Sequence, residues 1–595
     1  MNHDPFQAGT VVCRERPGGD WLLFRRPVET LVAREAAGVA DVLDRARQAV
    51  EPPSAGRRPL WAAGWVAYEA APAFDPAFRT LTGDGDGPPA AWLGLYEAPE
   101  RLARLPDPPP GEPFTLGPWR PAMDEDAYAA ALGRIRRLIA AGDTYQVNFA
   151  YFHHGPFAGD PGALFFTLAQ GGHGGLGALV VADHHAAVST SPELFFMQEG
   201  DALTARPMKG TARRGRWDAE DAEAAARLAA SAKDRAENVM IVDLLRNDMG
   251  RVARTGSVRA GPLFQVERYQ TVLQMTSTIT ARTDADPGRT LAALFPCGSV
   301  TGAPKIRTME IIAGLEREGR GIYTGTIGWM GPGRRACFNV AIRTLELDLE
   351  RGRARYGVGG GITWYSDPAA ERAETMAKIA VLTRRRPRFE LFETMRWTAG
   401  EGFARLEGHL ARLRASARYF DFPFDEAEAR AALAKVEERP AHGAMRVRLL
   451  LAASGAARAE SEPFEPDPPG RVRRLALAPE PVDSGDVFLF HKTTQREPYD
   501  RALAGHPDAD DVLLHNERGE LTESTIANVV LEIGGRRLTP PRESGLLGGV
   551  LREELLGRGE IRESVLKVAD LARAEKIWLI NSLRGWMAAE NIKAF

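Results

Sequence analysis

The sequence predicts a mixed α/β protein of the α+β kind, laid out as more than one domain. Three observations carry this expectation. Segments with helical apolar spacing alternate with short strand-like runs along most of the chain. A length of 595 residues exceeds what one core usually encloses. A basic, proline-containing break, TRRRPR at 383–388, ends one helical pattern just before a new strand-like run.

A proline-rich break, PDPPPGEP at 106–113, marks off an N-terminal lobe, 1–115, that is not expected to be autonomous. Residues 116–383 and 384–595 are read as the two following domains. DEDAYAAALGRIRRLIAAGD (124–143) has helical spacing and an acidic start, and YQVNFAYF switches to a strand pattern. A net charge of −3, spread along the chain, leaves no footprint for nucleic acid or a membrane surface, so small molecules or proteins are the expected partners. Cys13, Cys297 and Cys337 are too scattered for a disulfide framework or zinc ribbon. With no apolar leader in MNHDPFQAG and no run of about 18 apolar residues, a cytoplasmic protein is expected.

RPMKGT (206–211) wedges Lys209 against glycine, where it is either a solvated side chain or a nucleophile. KDRAENVMIVDLLRNDMGRV (233–252) reads as a helix with Asp234 and Glu237 one turn apart. SDPAAERAETMAKIAVL does the same for Glu371 and Glu374, with Ser366 or Asp367 starting the helix before Pro368. Two such helices converging suit a hard cation such as magnesium, whereas either pair alone is more simply surface charge. CGSVTGAPKIRTMEII (297–312) and YGVGGGITW (356–364) are glycine turns whose open backbone favours an anion. Neither has the spacing of a dinucleotide site.

In this order GDTYQVNF, SPELFF, RPMKGT, DRAENVMIVDLLRND, GSVTGAPK, GIYTGTIGW, FNVAIRT, VGGGI and AERAETMAK resemble the chorismate-utilising enzymes, in particular the aminodeoxychorismate synthase large subunits, over roughly residues 10–383. The resemblance implies a β-sandwich core with surrounding helices. It implies magnesium bound by Glu237 and Glu374, with Asp234 and Glu371 acting through water. It places Tyr323, Arg343, Gly360, Gly361 and Lys378 on the chorismate carboxylates, with Thr211, Thr301 and Gly302 at the ring site. Lysine at position 209, where anthranilate synthases carry a small residue, implies para-amination through a covalent lysine adduct. Gln274 stands in VLQMTS where many relatives have histidine, and glutamine does not shuttle a proton near neutral pH. No G-x-C-x-G elbow is present, so ammonia is expected from a separate glutamine amidotransferase.

From residue 388 onward FELFETMRW, LEGHLARLRASARYFDF, HKTTQREPYDRAL, ELTESTIAN, GLLGGVLREELL and INSLRGW resemble the two-lobed fold-type IV pyridoxal phosphate enzymes. That chemistry needs a lysine, an acid opposite the pyridine nitrogen and a phosphate cradle. The resemblance assigns these to Lys492, to Glu523, and to Arg412 with Gly549, Val550, Asn581 and Ser582, and it allows a homodimer through this domain. The family's opening strand and D-R-G-type segment are absent, so part of the domain edge is expected to be missing or borrowed. Company with the first domain favours an aminodeoxychorismate lyase; an aminotransferase and a cofactor-free docking module are the alternatives.

Overall fold

The computed structural model describes residues 6–591 except 52–57, 82–84, 107–110, 112, 170–174, 270–271, 384–386 and 439–442. The breaks expected at 106–113 and 383–388 therefore lie partly outside the described residues. The chain divides into two compact units, residues 1–213 with 225–385 and residues 214–224 with 386–595. Residues 1–115 fall within the first unit. Among the described residues no helix is long and apolar enough to cross a membrane.

The first unit is a β-sandwich clad in helices. Its two large sheets have eleven and nine strands among the described residues. The strand Trp61–Val66 shows why they stack: it is buried throughout, and alternate side chains leave opposite faces. Trp61, Ala63 and Trp65 enter a core with Val11, Cys13, Leu22 and Phe24 of the facing sheet. Ala62 and Val66 enter a second core under the helices Val39–Val50 and Ala232–Gly250. A third core lies beneath Glu125–Ala140 on the far side of the other sheet.

Local signals place the helices that matter for the site. Ser231 caps Ala232–Gly250 by accepting from the Asp234 amide. That helix buries Asn238, Ile241, Val242, Leu245 and Met249 at helical spacing and carries Asp234 and Glu237 in its first two turns. Pro368–Thr383 begins directly after Asp367, whose carboxylate accepts from the Ala370 amide at 2.9 Å.

The second unit has two lobes. The four-stranded sheet contains Leu391–Thr398 and is backed by the helices Leu406–Phe420 and Glu426–Glu437. The other sheet has eight strands among the described residues. Residues 214–224 complete this unit: the Tyr419 hydroxyl donates to the Gly215 carbonyl at 2.8 Å, and Trp217 stacks on Phe490 with ring centroids 5.1 Å apart.

Candidate active sites

Lys209 owes its direction to a β-bulge. The strand Met208–Arg213 pairs Met208 with Thr276 and then Thr211 with Gln274, so one extra residue is accommodated around Lys209 and Gly210. Gly210 has φ +92°, and a methyl there would stand 3.0 Å from Asp234 Cβ. Glycine is therefore required both by the backbone conformation and by the close approach of the neighbouring helix. Lys209 is pulled below the ordinary lysine pKa chiefly by burial, with Lys378 acting in the same direction; Glu193, Glu237 and Glu374 oppose it. A methyl at Gly361 would lie 2.9 Å from Lys209 Nζ and overlap Gln146 Nε2, so VGGGI meets RPMKGT at the amine itself.

Two residues that sequence reasoning did not single out stand here. Glu193 of SPELFF is 3% exposed and accepts from Ser299 Oγ at 2.6 Å. Burial raises its carboxyl to about 7, against the lowering effects of Ser299 and Lys209. An acid in SPELFF was the available signal, but Ser299, which binds it, is 106 positions away in the chain. Gln146 is 1% exposed, and its Oε1 is buried without a hydrogen-bond partner among the described residues. Such an atom is normally satisfied by a ligand or water.

Gln274 braces the bulge. Its Nε2 donates to the Gly210 carbonyl at 2.9 Å and its Oε1 accepts from Thr211 Oγ1 at 3.1 Å. The GSVTG turn docks on the QVNF strand: the Asn148 amide donates to Thr301 O at 2.8 Å, and the Tyr145 amide to Ala303 O at 2.9 Å. Thr301 Oγ1 lies within 3.2 Å of Cys297 O, so its hydroxyl serves its own turn. Gly302 has φ +143°, where a side chain would overlap the Gln146 carbonyl. Buried Arg320 ties both segments together by donating to Val300 O at 2.8 Å and Asn148 O at 2.6 Å while Glu316 neutralises it.

Tyr323 is buried against Gly357 and packs edge-on to Phe152. Arg343 is half-buried and adopts φ 50°. Lys378 Nζ bridges Glu374 at 2.8 Å and the Gly359 carbonyl at 2.7 Å. Gly360 faces Glu371, whose Oε2 would be 3.1 Å from a methyl there.

The carboxylates from the two helices repel one another. Burial, then Asp234 and Glu371, raise Glu237 against Lys209 and Lys233. Burial and Glu374 raise Glu371, although Ser366 Oγ donates to it at 2.7 Å. Burial also works to raise Glu374, but Lys378 holds it below the usual range. Among the described residues no three His, Cys, Asp or Glu form a preformed metal cage. The oxygen donors and their mutual repulsion nevertheless fit magnesium, which keeps several waters and commonly takes only one or two protein carboxylates.

In the second unit Lys492 is pulled to about 7 by burial and by Arg412, and its Nζ lies 4.7 Å from the centre of the Phe392 ring. Glu523 accepts from the Tyr499 hydroxyl at 2.7 Å, the Asn528 amide at 3.1 Å and the Leu547 backbone at 3.2 Å. Burial still raises it to about 7. Arg412 is gripped by Glu393 at 2.6 Å and 2.9 Å and donates to Gly548 O at 2.9 Å. Gly549 and Val550 form the start of the helix Val550–Gly557, and a side chain at 549 would overlap Asn528 Oδ1. A cavity of about 630 Å³ opens beside Arg412, Gly548 and Val550, with His491 and Arg542 also on its wall. Ser582 Oγ is buried without a hydrogen-bond partner among the described residues, whereas Asn581 accepts from Arg584 N at 2.8 Å and donates to Ile526 O at 3.3 Å. A free helix start, a guanidinium, an unmet hydroxyl, a lysine and a supported acid together fit pyridoxal phosphate.

Two family profiles match successive parts of the chain. The chorismate binding enzyme family profile matches residues 9–384, and the amino-transferase class IV profile matches residues 390–592. Aminodeoxychorismate synthase of Streptomyces griseus is 42% identical over 307 residues, covering 51% of this chain and 42% of that protein. Aminodeoxychorismate synthase component 1 of Escherichia coli (strain K12) is 40% identical over 273 residues, covering 45% of this chain and 60% of that protein. The chain thus spans about half the length of these relatives. Anthranilate synthase component I from Streptococcus pneumoniae TIGR4 superposes with a TM-score of 0.51 at 23% identity, covering 64% of this chain and 91% of that one, which shows the shared fold. The chain belongs to the chorismate binding enzyme family, and a class IV amino-transferase domain follows in the same polypeptide.

Proposed function

We propose that the first unit aminates chorismate to 4-amino-4-deoxychorismate and that the second removes pyruvate from this product, leaving 4-aminobenzoate, the folate precursor. The observation that carries the reading is Lys209, a half-buried lysine whose desolvated amine is biased toward its neutral form, aimed by a bulge, with Glu193 and two carboxylate helices around it. A neutral amine offers the lone pair that an ammonium lacks. The Nζ–ring bond forms as the C4–O bond breaks, and the Nζ proton leaves with the hydroxyl as water. Glu193, at about 7, is placed to carry that proton. Ammonia then forms the C4–N bond as the bond to Lys209 breaks, and lysine regains a proton.

Tyr323, Arg343, Gly360, Gly361 and Lys378 hold the substrate carboxylates in this reading, with Thr211, Thr301 and Gly302 shaping the ring site and Gln274 keeping the bulge rigid. Glu237 and Glu374, supported by Asp234 and Glu371, would hold magnesium, which would supply positive charge for those carboxylates. Cys13, Cys297 and Cys337 are all buried, and burial raises each thiol. None suits a glutaminase nucleophile, so ammonia comes from a separate glutamine amidotransferase.

Pyridoxal phosphate, cradled by Arg412, Gly549, Val550, Asn581 and Ser582, supplies an electron sink for the second reaction. Lys492, neutral above about pH 7, would be the base that takes the ring C4 proton, and Glu523 would be the acid that holds the cofactor's pyridine nitrogen. The second unit pairs with its copy as a homodimer. Chorismate, magnesium and ammonium given to the purified chain, with products separated, test the whole reading. 4-Aminobenzoate supports both steps, accumulation of aminodeoxychorismate removes the lyase step, and anthranilate overturns the role of Lys209. Pyruvate release measured against 2-oxo-acid amination separates a lyase from an aminotransferase.

A further inference from the structure

Behind Glu193 stand two enclosed side chains to which the reaction above gives no part. Ser299 lies in the short turn Gly298–Val300 and Cys297 immediately precedes it. Both are buried, at 4% exposure each. Ser299 Oγ is 2.6 Å from Glu193 Oε1, and Cys297 Sγ is 3.2 Å from Ser299 Oγ. A hydroxyl carries one proton and two lone pairs. Burial raises the Cys297 thiol to about 12, so it stays S–H across the working range and can donate to the serine oxygen. That arrangement leaves the hydroxyl proton for the carboxylate. The other groups around Glu193 are Lys209, the Met208 backbone N–H and the Cys297 thiol itself.

We propose that Ser299, its hydroxyl oriented by Cys297, is a positioning residue that fixes the Glu193 carboxyl and favours its ionised form, the proton acceptor for Lys209. A donor to the charged form stabilises it relative to the neutral form. Without Ser299 the carboxyl keeps its burial and loses a partner, so it holds its proton to higher pH. This inference rests on the reading of Lys209 and Glu193 above and extends it to the residues that prepare the acid.

The test compares wild type, Ser299→Ala, Ser299→Thr and Cys297→Ala in ammonium-dependent amination of chorismate with magnesium, alongside thermal unfolding of each. In Ser299→Ala the acid limb of the kcat/KM profile moves up by about one pH unit, the shift expected from one lost hydrogen bond. Its kcat falls about tenfold while the KM for chorismate stays within about twofold, because Ser299 acts through Glu193. Ser299→Thr, which retains the donor, restores the wild-type limb, and Cys297→Ala shifts it in the same direction by less. An unmoved limb in Ser299→Ala, or a threonine variant indistinguishable from alanine, overturns the inference while leaving the function intact. A wild type that does not aminate chorismate takes down the inference and its basis together.

Discussion

Gly361→Ala tests the meeting of the glycine strand with the nucleophile. The new methyl would stand 2.9 Å from Lys209 Nζ, where ordinary contacts begin near 3.4 Å, and would overlap Gln146 Nε2. Gln146 is buried and has little room to retreat. The amine must therefore give way by about 0.5 Å, a displacement at the tolerance of a productive catalytic geometry. Since a misplacement of about 1 Å can cost about 10²-fold, amination should fall by roughly 10- to 100-fold. Overpacking should cost about 1–3 kcal/mol of stability. The assay is ammonium-dependent loss of chorismate with products separated, together with a urea melt. Gly314→Ala is the control, because a methyl there meets nothing within 4 Å. Activity of Gly361→Ala within threefold of wild type, with unchanged stability, would show that the strand does not abut a catalytic amine.

Lys209→Ala should abolish most para-amination, by about 10²-fold or more; full activity with ammonium would sink the covalent route. Lys492 should capture pyridoxal phosphate at a rate that rises with pH through about 7 and then levels, because burial lets its amine lose the proton there rather than near the usual lysine value. Absorbance on mixing cofactor with apo-protein checks this, and Lys492→Ala should show no shifted band. Glu374→Gln should raise the magnesium concentration for half-maximal activity about tenfold or more, measured by metal titration at saturating chorismate. Arg320→Met removes one partner of a buried pair and leaves Glu316 uncompensated, so the first urea transition should lose about 3–5 kcal/mol.

Much of the fold was readable because its signals are local. The helix read at 124–143 is Glu125–Ala140, and the carboxylate pairs sit within the first two turns of Ala232–Gly250 and Pro368–Thr383, one turn apart as their i, i+3 spacing placed them. The site was readable only in part. Gln274 was recognised by its position in a motif, but its engagement with Gly210 and Thr211 depends on strand register. Thr301 spends its hydroxyl on its own turn, and Asn581 accepts from Arg584 N in its turn while its Nδ2 donates to the Ile526 carbonyl at 3.3 Å, partners that composition does not encode.

The sequence by itself determined which residue types were present for chemistry: a lysine before glycine, carboxylates at helical spacing, glycine turns, and a second lysine with its acid and arginine. Tertiary structure alone decided that the Lys209 amine is desolvated and biased toward neutrality, that Glu193 and Gln146 stand beside it, and that Ser299 prepares Glu193. The reason is physical. A spacing of three or four residues is a property of one helix, whereas the protonation of an amine depends on desolvation and on the field of charges brought from distant segments. Those quantities exist only once SPELFF, RPMKGT, GSVTGAPK and VGGGI have been packed around one point.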